Sequence, residues 1–179
     1  VNDLPLMPFQ NSILSCVHAA FAFVNSFNSK FKSGNDVKLS WRCTYSQVPH
    51  YGGGTTIRDC GNVQNKQGQC INSMLPEEKY WLGETAMQNP NYITKEILEN
   101  AKTYKTEGFF YLNPNDKLEM KTAIMDSPIV IGVYCNSATW KNDVTIKWNG
   151  YKQFGHAISI VGWSDAKNAW QIADWDNKG

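Results

Sequence analysis

Cys16 stands between a serine and an apolar run in "QNSILSCVHAAFAF", and His156 heads another apolar run in "GHAISIVGW". A thiol becomes a strong nucleophile when it is held as thiolate. The positive end of a helix favours that form, and so does a neighbouring imidazolium. Such surroundings bring the pKa of an activated cysteine to about 3.5–7.5 and leave a proton donor beside the attacking sulfur. Of the 3 histidines, His156 is best suited to be that donor. His18 lies two residues from Cys16 on the same expected helix and so points to another face. His50 lies in a loop ahead of the glycines, with no apolar strand to hold it. Singly, these residues say little: a cysteine at a helix start is usually a small buried hydrophobe. Gln10, six residues before Cys16, means nothing alone. The joint pattern of order and surroundings carries the reading.

The elements that must position these residues follow from periodicity. Val17, Ala20, Phe21, Val24, Phe27 and Phe31 form a helical stripe, so residues 16 to about 31 read as an amphipathic helix with Ser15 placed as its N-cap. "KSGND" closes it, and "LSWRCTYSQ" reads as a short helix. "YGGGTT" is a loop whose glycines can bring bare backbone close to a ligand. "TTIRDCGNVQNKQG" reads as a helix capped by Thr55 or Thr56 and ended by Gly68; "TKEILENAKT" and "NDKLEMKTAIMDS" read as two more, the latter starting at Asn115 or Asp116. The runs "SPIVIGVYC", "DVTIKWN", "HAISIVGW" and "NAWQIA" read as strands. A helical first half ahead of a strand-rich second half predicts an α+β protein of two lobes with a cleft between them.

At 179 residues the chain is one domain's worth, 1–179, with 42% hydrophobic and 18% charged residues, which marks it as globular. Lys+Arg 17 against Asp+Glu 16, with no long basic run, argues against an electrostatic nucleic-acid binder. The most apolar run, "PIVIGVYC", is too short to span a bilayer. The 5 cysteines (Cys16, Cys43, Cys60, Cys70 and Cys135) suggest one free thiol, with the others able to pair in three ways or to stay reduced. No Cys-x-x-Cys spacing exists, so neither a metal site nor a cofactor is expected. None of the 18 asparagines begins a glycosylation sequon, Val1 opens directly into globular-looking sequence, and the compartment stays open.

"LPLMPFQNSILSCVHAAFAF" resembles the active-site segment of papain-like cysteine peptidases, a Gln-Gly-x-x-Gly-Ser-Cys pattern running into a long helix, with Gln10, Ser15 and Cys16 in register. "LSWRCTYSQ…GGGTTIRDCGNVQNKQGQC" is similar to the family's Leu-Ser segment, glycine loop, helix and Gly-x-Cys turn. "GHAISIVGW" is similar to its histidine strand, and "NAWQIADWDNKG" to the segment that follows. The resemblance covers nearly the whole chain. It implies a papain-like two-lobed fold, with a helical lobe at about 10–108, an antiparallel β-rich lobe at about 109–179, and the active site between them. Carried over by position, Cys16 is the nucleophile and His156 the general acid–base. Gln10 and the Cys16 backbone N–H are the oxyanion donors, and Gly53 and Gly54 offer backbone bonds to an extended peptide. Gly155 leaves one wall of the substrate pocket small, and Trp175 shields the histidine. The partners implied are a peptide or protein substrate and a pro-segment or protein inhibitor. A monomer with no nucleic acid or membrane is expected, secreted or in a lysosome- or vacuole-like compartment.

This chain departs from the pattern at Val17, where the family commonly has tryptophan, at Asn11 and Leu14 in place of glycines, and at Ile13 where a cysteine is usual. The family's Asn-Ser-Trp-Gly segment is the larger departure. Aligned on the later motif, "DWDNKG" fits and about five residues are missing. Aligned from the strand, Asp174 takes the asparagine's place, where a carboxylate can orient the histidine and stabilise its imidazolium. The alternative function is an inactive homologue that keeps the cleft and binds peptides or a partner protein. A transglutaminase- or amidase-like acyl transfer uses the same thiolate chemistry, but the order Gln, Cys, His with a glycine loop between favours the peptidase.

Overall fold

The computed structural model describes residues 4–10, 13–50, 54–77, 83–137, 146 and 150–174. Six α-helices and a short 3-10 turn surround or precede one sheet: α1 (Cys16–Ser33), α2 (Arg42–Tyr45), α3 (Ile57–Gln67), α4 (Glu84–Met87), the turn Pro90–Tyr92, α5 (Lys95–Thr103) and α6 (Lys117–Asp126), then β1 (Ile129–Cys135), β2 (Phe154–Ser164) and β3 (Ala169–Ala173). The architecture is α+β, a helical part followed by an antiparallel sheet in the order β1-β2-β3. The expected strand "DVTIKWN" lies outside the described residues except for Ile146, which is in no strand.

Local chemistry explains most of the boundaries. Thr56 caps α3 by accepting from the Asp59 N–H, Thr94 caps α5 through the Ile97 N–H, and Asp116 caps α6 through Leu118 and Glu119. Gly34 ends α1 in the left-handed region at φ 72°. Gly68 ends α3 at φ 82°, and there a Cβ would stand 2.0 Å from the Ala101 carbonyl oxygen. Both the turn and the close approach of α5 therefore need glycine.

Two expectations for α1 change. Ser15 precedes the helix, but at φ −101° and ψ 16° its hydroxyl makes no capping hydrogen bond to α1. An N-cap needs extended backbone for its oxygen to reach the N–H groups of the first turn. Nor is the helix a one-sided stripe: Val17, His18, Ala19, Ala20, Ala22, Phe23, Val24, Asn25, Ser26 and Ser29 are all buried, while Phe31 is 50% exposed. The small residues let neighbours approach from several sides. One side packs on Trp41, Tyr45 and Met87; another packs on Val130, Val161 and Ala173 of the sheet. Phe31 falls in the last turn, beyond those neighbours. All five cysteines are thiols.

The ladder between β2 and β3 contains one irregularity. Ser164 to Gly162 pair with Ala169 to Gln171; after a shift at Val161, Ile160 pairs with Ile172 and Ser159 with Ala173. Such a bulge places one extra residue on one strand.

Candidate active site

Cys16 is the first residue of α1, and it packs with Val17, Phe21, Ile57, Cys60 and Ala157. His156 lies near the start of β2, paired with Val133 of β1. The register after the bulge, carried one residue past β3, sets Asp174 opposite Ile158, on the same face of the sheet as His156 and diagonal to it. The register before the bulge would set it opposite Ser159, on the other face. The outcome is direct: both Asp174 carboxylate oxygens stand 3.0 Å from His156 Nε2. The two side chains are 10% and 4% exposed, so water competes little for this bond. The same ring hydrogen-bonds with the Cys16 thiol.

The electrostatics follow from these neighbours. Burial by itself pulls the His156 pKa down. Hydrogen bonds to Asp174 and Cys16, with attraction to both, outweigh it and hold the value up at about 9. The imidazolium therefore persists across neutral pH beside a thiol at a helix N-terminus.

Gln10 is buried ahead of this helix, and its side-chain N–H donates to the Ile13 carbonyl at 2.7 Å. The amide's second hydrogen remains, while Oε1 makes no hydrogen bond among the described residues. Three side chains without any local sequence signal hold this loop. The Phe9 N–H donates to Glu77 at 2.9 Å, the Trp41 indole donates to the Phe9 carbonyl at 2.9 Å, and the Leu14 N–H donates to Glu84 at 3.3 Å. Glu77 also pairs with Lys38 at 2.6 Å, and Glu84 accepts from the Tyr45 hydroxyl. Long-range carboxylates of this kind are invisible to periodicity, and sequence reasoning missed them.

Gly54 and Gly155 each face open space where a Cβ would project. Gly155 lines a hollow of about 320 Å³ with Gly132, Val133, Tyr134 and His156. Gly53 and Trp175 lie outside the described residues. Among the described residues no group of histidines, cysteines and carboxylates is placed to hold a metal, and no helix is long and apolar enough to cross a membrane.

A cysteine on the first turn of a helix and a histidine on an antiparallel sheet are set together in a fold that is papain-like. Solved structures show it. The chain is similar to xylellain, a cysteine protease from Xylella fastidiosa, at 24% identity and a TM-score of 0.77, covering 94% of this chain and 70% of that one. It is similar to the bromelain protease of Ananas comosus in complex with the E64 inhibitor, at 17% identity and a TM-score of 0.71, covering 97% and 79%. Procathepsin B S9 from Trypanosoma congolense has a TM-score of 0.73 at 16% identity, covering 97% of this chain and 62% of that one. No family model and no curated protein matches the chain.

Proposed function

We propose that this chain is a cysteine peptidase. The observation that carries the proposal is the position of His156, bonded to the Asp174 carboxylate at 3.0 Å and to the Cys16 thiol. In the proposed cycle the Cys16 thiolate attacks a peptide carbonyl. The carbonyl oxygen takes the negative charge and is met by the Cys16 backbone N–H and the second amide hydrogen of Gln10. The His156 imidazolium gives its proton to the leaving amine as the C–N bond breaks, which leaves an acyl-enzyme. Neutral His156 then takes a proton from water, whose oxygen attacks the thioester carbon and releases the acid and Cys16. Because the Ser15 side chain does not cap α1, the first N–H groups of the helix are not committed to Ser15 and are suited to the oxyanion. Gly54 and Gly155 would face the peptide on either side, and the hollow beside Gly155 would take one of its side chains. Proforms and E64 complexes among the similar structures make a pro-segment or an inhibitor reasonable partners.

One observation favours the reading as an inactive peptide-binding homologue: the Gln10 amide is spent in part on Ile13. Hydrolysis of a denatured protein such as casein, compared between the wild type, Cys16→Ala and His156→Gln, decides between the two. Turnover by the wild type with loss in both variants supports the peptidase. Peptide binding without turnover by any of the three supports the homologue.

A further inference from the structure

His18 is two residues from Cys16 and takes no part in the proposed chemistry, yet it is fully buried and bonded at both ring nitrogens. Nδ1 lies 2.8 Å from Thr44 Oγ1 on α2, and Nε2 lies 2.8 Å from Thr55 Oγ1. The directions of these bonds can be worked out. The Thr44 hydroxyl donates its hydrogen to the Trp41 carbonyl at 3.2 Å, so it must accept from Nδ1–H. Nε2 is then bare and accepts from the Thr55 hydroxyl. Cys60 Sγ, 3.3 Å from Nδ1, and the edge-on Tyr45 ring at 5.2 Å complete the enclosure. Burial, with repulsion from His50, keeps the ring neutral down to about pH 3, so this single tautomer persists.

Thr55 is the residue after Gly54, whose missing side chain leaves open space, and the residue before Thr56, which caps α3. Thr55 therefore stands between the capped start of α3 and the glycine. The only described side-chain tie from Thr55 to the body of the protein runs to His18, on the helix that carries Cys16. We infer that His18 is a positioning residue for substrate binding: through Thr55 it fixes the backbone of Gly54 relative to Cys16, and so sets how an extended peptide pairs beside the nucleophile. This deepens the peptidase reading and rests on it.

Inhibition kinetics separate the two. E-64, a peptidyl epoxide, uses both peptide binding and the Cys16 sulfur, whereas iodoacetamide uses the sulfur alone. Thr55→Val keeps the shape and removes the hydroxyl. His18→Asn keeps a donor near Nδ1 for Thr44 and loses the acceptor for Thr55. Each is expected to raise the E-64 KI by about tenfold, as one lost buried hydrogen bond does. The limiting E-64 rate and the iodoacetamide rate should stay within about twofold of wild type, and the double variant should be no worse than either single one. Thr55→Ser, which retains the hydroxyl, should match the wild-type KI. An unchanged KI in Thr55→Val, or a raised KI in Thr55→Ser, overturns the inference while Cys16 stays reactive. Equal loss of KI and of iodoacetamide rate shows a merely structural role and also overturns it. A wild-type Cys16 that neither reagent modifies faster than a free thiol overturns the peptidase reading, and the inference with it.

Discussion

Cys60 Sγ on α3 lies 3.3 Å from His18 Nδ1, a second cysteine–histidine contact, whose histidine sits on the same helix as Cys16. The two contacts have opposite character. Burial pushes the Cys60 thiol up and pulls His18 down to about 3, so that pair is neutral on both sides. His156 has a carboxylate behind it, and the same residue types there hold a proton up to about pH 9. Proximity of cysteine and histidine does not make a nucleophile; a third group that stabilises the charged ring does.

Thiol labelling should follow that distinction. At mildly acidic pH iodoacetamide is expected to modify Cys16, which is half-buried, well before Cys43, Cys60, Cys70 and Cys135, which are buried. Burial also holds the Cys135 thiol up at about 11. Peptide mapping by mass spectrometry reads the order, and equal labelling of all five would remove Cys16 from the nucleophile's role.

Activity should fall on the alkaline side near pH 9. The folded pKa of His156 is raised from its ordinary 6.5, so the stabilisation from its charged form is complete below about 6.5 and is lost as pH rises through about 9. Asp174→Asn keeps an acceptor but removes the negative charge, so the alkaline limb should move to lower pH with much of the rate retained. Asp174→Ala should slow catalysis at every pH. Wild-type pH–rate behaviour in Asp174→Ala would leave Asp174 as a turn former.

Gln10→Ala should lower kcat by about 10²–10³ with little change in KM, the usual result of one lost oxyanion donor. Steady-state kinetics on a single peptide suffices. A change confined to KM would make Gln10 a loop-shaping residue, through its bond to Ile13 alone.

Gly68→Ala tests the helix-end geometry without touching the site. The left-handed φ of 82° and the contact with the Ala101 carbonyl should together cost about 2–4 kcal/mol of stability. Denaturant titration checks it, and a loss below about 1 kcal/mol would mean that α5 gives way easily.

Much of this arrangement is legible in the chain. Caps at Thr56, Thr94 and Asp116, and the glycines at 34 and 68, mark helix ends because each acts on backbone a few residues away. Cys16 and His156 stand out because their neighbours form recognisable runs. Ser15 misleads because a cap depends on dihedrals as well as on residue type. His18 reads only as lying on another face than Cys16, since nothing local shows that Thr44 and Thr55 close over both of its nitrogens. Glu77 and Glu84 are silent for the same reason, as their partners are loop amides about seventy positions away. Alignment from the strand points to Asp174, but its side of the sheet depends on a shift at Val161 that alternation alone does not announce.

That shift makes the hairpin a parity counter. Whether Asp174 faces His156 depends on whether the number of residues separating them along the ladder is odd or even, and Val161 supplies the one that makes the count come out. A loss or gain of one residue elsewhere within this stretch, with the irregularity kept, would turn the carboxylate to the opposite side of the sheet with every side chain near Cys16 unchanged. A change of two would slide it along the strand and keep it on the correct side. While the irregularity stands, length variation in these strands is therefore tolerated in pairs, and a single-residue deletion far from the sulfur would be as damaging to the site as replacing the acid itself.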